Sequence, residues 1–186
     1  MIHLLWQNPD ALHRATAEVR AVCPRGSAPT REQVAALDFV EACAHETMRL
    51  KPVAPILPLQ VQRDVRVGDV QLQTGMVVIN LMRRDSVSEA HLPQATAFKP
   101  ERWLAEGDHS HMAQAAKRIS MPFGAGPRIC PGRYLALLEM KVAMAVLLKD
   151  FDIQSVGTAD GQEPVEHLSF TMAPLGLQMR LQARAG

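Results

Sequence analysis

The spacing of apolar residues along the chain changes several times, and each change marks an expected element. Over residues 1–22 they recur at helical spacing, with Asn8-Pro9-Asp10 breaking the run before ALHRATAEVRAV. CPRGSAP, residues 23–29, reads as a loop. Thr30, with Gln33 three residues later, has the form of a capping box that opens the next helix. LDFVEACAHETMRL, about 37–50, keeps helical spacing and stops before Pro52. Pro52, Pro55 and Pro58 then favour extended chain, and LQVQRDVRV and VQLQTGMVVIN alternate as two strands joined near Gly68-Asp69. A short helix is expected after Arg84-Asp85. From 92 to about 121 no period holds, and an irregular loop of that length in a compact domain points to function. Residues 133–149 form a long apolar helix, with short strands expected at 151–156, 167–172 and 177–183. The fold class is therefore mainly α with small β hairpins, in a single domain over residues 1–186.

Composition narrows what such a domain does. Hydrophobic residues make up 47% of the 186, enough for a core, and the net charge of +1 provides no field for nucleic acid or an anionic membrane surface. No apolar run approaches the roughly 18 residues that a membrane segment needs. Three cysteines, Cys23, Cys43 and Cys130, form neither a CxxC nor an even framework, which favours a reducing, cytoplasmic setting. The 20 basic residues divide into fifteen Arg and five Lys, a bias suited to bidentate carboxylate recognition.

The densest chemistry lies in PFGAGPRICPGRYLALLEM, residues 122–140. Pro131-Gly132 follows Cys130 and leads into the apolar helix, which places the cysteine at a helix N-terminus where the dipole and free N–H groups favour a thiolate. Arg128 adds a positive fork suited to a carboxylate, Gly124 and Gly126 let the backbone approach a flat object, and Phe123 offers an aromatic face. A lone cysteine is ordinarily a buried structural residue. Here it stands in a complete F-G-x-G-x-R-x-C-x-G pattern: Phe123, Gly124, Gly126, Arg128, Cys130 and Gly132. Upstream, Glu46 and Arg49 in HETMRL share one helix face at i, i+3, and the apolar Cys43, Met48 and Leu50 around them make burial of the pair plausible. A buried Glu–Arg pair wants a further partner.

This pattern resembles the cytochromes P450, the haem-thiolate monooxygenases. The resemblance implies haem b as cofactor, with Cys130 as the axial metal ligand whose electron donation favours O–O cleavage. It implies that Arg128 pairs with a haem propionate and that Phe123 shields the sulfur. The family's E-x-x-R helix and downstream P-E-R-F/W segment match Glu46, Arg49 and Arg102, with Pro100 and Glu101 in place, and imply a structural network that pins the loop before the cysteine. VAPIL (53–57) and TMAPL (171–175) lie where the family's chain meets haem and substrate. Leu59 departs from the Arg or His that many members carry about there to bind a propionate. The implied partners are a small apolar substrate and a ferredoxin or flavoprotein reductase as electron donor, with Lys117, Arg118 and Arg133 as docking charges. His109 and His111, an H-x-H without a third ligand, are expected to be solvated.

Residues 1–12 resemble the end of the family's distal helix, and the acid–alcohol pair that delivers protons there has no counterpart, so no catalytic residue is retained. The resemblance thus implies the C-terminal part of the cytochrome P450 fold, with the distal helix and N-terminal half missing. A helix at 133–149 that is apolar all round would then keep an exposed patch. The function implied is oxidation of an apolar small molecule with O2 and reductase electrons. The alternative is a catalytically inactive truncated haem-binding fragment, or a remnant that binds nothing.

Overall fold

The computed structural model describes residues 1–104 and 109–184, and between 109 and 112 the backbone alone. Two helices open the chain, α1 (Ile2–Gln7) and α2 (Pro9–Val22). They break at Asn8 because Pro9 has no N–H to continue the ladder, and the Asn8 amide donates back to the Leu4 carbonyl at 2.8 Å. The short α3 (Arg31–Ala35) starts with both halves of the Thr30/Gln33 capping box in place.

Helix α4 (Asp38–Leu50) is the central element. Its N-cap residue, Leu37, has no side chain able to cap. Glu18 of α2 does so from a distance, accepting from Phe39 N at 2.7 Å and Val40 N at 2.9 Å. That carboxylate also complements the positive end of the α4 dipole. The main core fills the space among α1, α2, α4 and α7 (Arg133–Asp150), with Leu5, Val19, Phe39, Cys43, Met144 and Leu148 at its centre.

Two nested antiparallel hairpins complete the chain. In the first, β1 (Ile56–Gln60) pairs with β4 (Val77–Leu81), and β2 (Val65–Val67) with β3 (Val70–Leu72) around Gly68. The two long strands read from the sequence are each interrupted, because Asp64 captures Thr74 N and Oγ1 at 2.8 and 2.7 Å and Gly75 turns with φ +89°. In the second, β5 (Phe151–Gly157) pairs with β8 (Gln178–Ala183), and β6 (Val165–Leu168) with β7 (Met172–Leu175). The expected strand at 167–172 therefore spans the end of one strand, a turn and the start of the next.

Two further expectations are corrected. The short helix α5 (Met82–Ser86) contains Arg84-Asp85 instead of following it. The stretch from 92 to 121 is not loop throughout: it holds a 3-10 turn at Pro100–Trp103 and a twelve-residue helix, α6 (His109–Ser120). The buried face of α6 includes Ala113, Ala116 and Ser120, residues too small or too polar to stand out as an apolar period. His109 and His111 begin this helix, and their side chains lie outside those described. No helix among the described residues is long and apolar enough to cross a membrane.

Candidate functional site: the cysteine loop and its support

The three cysteines differ in setting. Cys23 and Cys43 are buried, and burial pushes both thiols up, away from the thiolate. Cys130 is exposed. Its loop closes on itself, with Cys130 N donating to the Phe123 carbonyl at 2.8 Å and Gly124 N to that of Met121 at 2.8 Å. The closure needs left-handed backbone at Gly124 (φ +74°) and Gly126 (φ +70°), conformations that strain any residue with a Cβ. A 3-10 turn, Gly126–Arg128, follows and lets Ile129 N reach the Gly126 carbonyl.

The cysteine lies slightly further from the helix than the sequence implied. Gly132 is the N-cap of α7, so Pro131 precedes the cap instead of occupying the first turn. Arg133 N donates to the Cys130 carbonyl at 3.4 Å, which couples the loop to the helix start. A Cβ on Gly132 would stand 3.8 Å from the Cys130 sulfur. Arg128 is exposed, as are Ile129, Leu135 and Leu138, while Phe123 is half-buried. A Cβ on Gly124 or Gly126 would meet nothing within 4 Å. An open, glycine-backed loop with a presented thiol, an adjacent guanidinium and apolar surface fits a flat, apolar, iron-bearing group with acidic substituents.

Support for this loop is built on α4. Glu46, fully buried, accepts from Arg49 Nε and Nη2 at 2.8 Å each, from Arg102 Nε at 3.0 Å, from Lys99 N at 2.9 Å and from Trp103 Nε1 at 2.8 Å. Burial pushes its carboxyl up, and the bonds from Arg49, Lys99 and Trp103 more than offset that, holding it below the usual carboxylate range. Arg49 donates onward to the Ser86, Ala95 and Ala97 carbonyls, and Arg102 to those of Pro93 and Gln94. The network thus gathers irregular chain from 86 to 103 onto one helix. Trp103 completes it, a member that sequence reasoning missed: its position at the end of FKPERW gave no sign that the indole N–H points at Glu46. Trp103 and Ala95 then pack with Ala42, Leu92 and Ala116, which seats α6, the element leading into the cysteine loop.

The remaining candidates fall in two places. Residues 53–57 and 171–175 meet directly, since Met172 N donates to the Val53 carbonyl at 2.7 Å. Leu59 is exposed in β1. Lys117 and Arg118 are exposed in the last turn of α6, and Arg133 stacks over the Tyr134 ring at 4.2 Å.

Known proteins share this architecture. A sequence model of the family described as Cytochrome P450 matches residues 1–181. The chain is 31% identical over 172 residues to rat 1,25-dihydroxyvitamin D(3) 24-hydroxylase, mitochondrial, covering 90% of this chain and 31% of the relative. It is 33% identical over 183 residues to the cytochrome P450 monooxygenase tpeC of Talaromyces stipitatus, covering 95% and 35%. A crystal structure of a cytochrome P450DA heme domain superposes with a TM-score of 0.86 at 27% identity, over 99% of this chain and 40% of that one. The chain spans about a third of the length of the curated relatives it matches. With the match running through the cysteine loop, the Glu46 network and both hairpins alike, the chain belongs to the cytochrome P450 family.

Proposed function

We propose that this chain is the haem-ligating part of a cytochrome P450 monooxygenase domain, in which Cys130 would supply the thiolate that holds the iron of haem b. The observation that carries this reading is the exposed Cys130 on a loop closed by its own N–H to Phe123 O, between positive-φ glycines and the start of α7. Arg128 would pair with a haem propionate, Gly124, Gly126 and Gly132 would leave room for the macrocycle, and Phe123 would shield the sulfur. Bound there, haem supplies the activation of dioxygen that no side chain can. Glu46, Arg49 and Arg102 keep the sulfur in place by holding the chain that precedes it. The apolar residues at 53–57 and 171–175 contact an apolar small-molecule substrate.

The reaction of such a domain puts one atom of O2 into a substrate C–H bond and releases the other as water. It draws two electrons and two protons for each turnover. The electrons come from a ferredoxin or flavoprotein, with Lys117, Arg118 and Arg133 offering positive charge to an acidic donor.

A second reading is favoured by a specific observation. Leu135, Leu138, Val142 and Val146 form an exposed apolar stripe along α7, so this chain by itself leaves open a face that a working domain covers. On that reading the 186 residues hold haem without turnover, or bind nothing. A carbon monoxide difference spectrum of the reduced, haemin-loaded protein tests thiolate ligation, with Cys130→Ser as control, and a turnover assay on a chain that shows it separates a working domain from one that holds haem without activity. A strongly red-shifted Soret band that the variant loses supports thiolate ligation. A band unaffected by the substitution, or no haem uptake at all, would overturn it.

A further inference from the structure

The β6–β7 hairpin is tied to the helices by charge. Lys51, the residue that ends α4, sets its ammonium 2.5 Å from Glu166 in β6 and 3.3 Å from Glu163 just before it. Arg83 of α5 holds the second oxygen of Glu166 at 2.5 Å. His3 and Gln7 of α1 approach Glu163 at 3.2 and 3.1 Å. Among the described residues, Lys51 is the one group that touches both carboxylates, and as a cation at a helix C-terminus it is also favoured by the α4 dipole.

This arrangement sits on the rim of an apolar cleft of about 320 Å³, lined by Ile2, Met48, Val53, Met140, Met172 and Leu177. The hairpin forms one wall. It has only four paired positions on each strand, and Val165, Leu168, Phe170 and Leu175 are exposed, Phe170 almost completely. A two-stranded ribbon of that size has little stability of its own, so its position depends on what ties it down. Besides the charges, the ties include the Met172 N to Val53 O hydrogen bond.

We propose that Lys51 is a positioning residue: by bridging Glu163 and Glu166 it holds the β6–β7 hairpin against residues 53–57 and so sets the wall of the cleft that receives an apolar ligand. That the cleft receives a ligand beside haem rests on the function proposed above; the anchoring does not.

Hydrogen exchange of the 186-residue chain tests the anchoring, with Lys51→Met to keep the stem and remove the charge, and Lys51→Arg to restore it. Two partly exposed ion pairs correspond to about five- to tenfold in local opening. Residues 163–177, including the Met172 amide, should exchange faster by that factor in Lys51→Met and return towards wild type in Lys51→Arg, while α2 and α7 stay unchanged. Equal exchange in all three proteins would overturn the anchoring, and faster exchange throughout the chain would mark a general loss of stability and overturn it too. For the wall, the haem-loaded proteins are titrated with imidazole and with 4-phenylimidazole. Lys51→Met should weaken the phenyl ligand about tenfold relative to imidazole, whereas equal weakening overturns the wall assignment. A wild-type chain that takes up no haem sinks the ligand-binding reading, and exchange then decides the anchoring alone.

Discussion

Glu46 shows how much one side chain can organise. Its two oxygens accept five N–H groups from four residues, with no water-facing surface left. One carboxylate faces two guanidiniums, and the remaining positive charge is balanced by backbone carbonyls from 86 to 97. Removing the negative charge would leave both guanidiniums buried without a counter-ion. Glu46→Gln should therefore lower stability by about 3–5 kcal/mol, read from urea unfolding. A cost under about 1 kcal/mol would show that the carbonyls alone suffice. Gly124 presents a different dependence, on backbone shape. A Cβ there meets no neighbour, so Gly124→Ala tests conformation alone, and the left-handed φ should cost about 1 kcal/mol. The spacing of Glu46 and Arg49 was legible because i, i+3 puts two side chains on one helix face. Trp103 was not, because an indole reads as core until its N–H is seen to have an acceptor.

Among elements, α4 and α7 are joined by charge as well as by packing. Lys141, buried on α7, donates to Glu41 of α4 at 2.7 Å and to the Ala35 carbonyl at 3.2 Å. His45, 3.9 Å from the other Glu41 oxygen, and Lys141 together hold that carboxyl down to about 2, against an ordinary 4.5. A depressed folded-state value means that the pair stabilises above the ordinary value and that this contribution is lost as pH falls from about 4.5 towards 2. Lys141→Met should thus flatten the loss of stability over that window, followed as urea midpoints at pH 5, 4, 3 and 2. A variant with an unchanged acid slope would remove Lys141 as a cause. The helices α1, α2, α4 and α7 were legible in the sequence because each carries a long apolar period or a proline break. Helix α6 was hidden because Ala113, Ala116 and Ser120 face inward. The first hairpin was legible in position but not in length, since the captures by Asp64 and Gly75 that cut the strands depend on residues meeting across the ribbon, whereas in the second the strand expected at 167–172 falls across the β6–β7 turn.

The whole molecule inverts the usual surface of one helix. On α7 the lysines Lys141 and Lys149 are inside, with Lys149 donating to the Ser27 carbonyl, while Leu135, Leu138, Val142 and Val146 are outside. The inward lysines follow from packing: their stems lie against the core and their ammonium groups find carbonyls and Glu41 at its edge. Among the described residues the outward stripe has no such account. In the solved relative that matches over nearly the whole of this chain, more than half of the length lies beyond the match. A stripe of four exposed aliphatic residues next to the exposed Tyr134 is an apolar face that favours self-association in water. The isolated chain should bind an apolar fluorescent dye and sediment as more than a monomer. Replacing Leu138 and Val142 together with Glu and Lys should return it to a monomer with its helix content intact, because neither side chain contributes to the buried core. A wild-type chain that sediments as a monomer and binds no dye would show that the stripe is harmless in water.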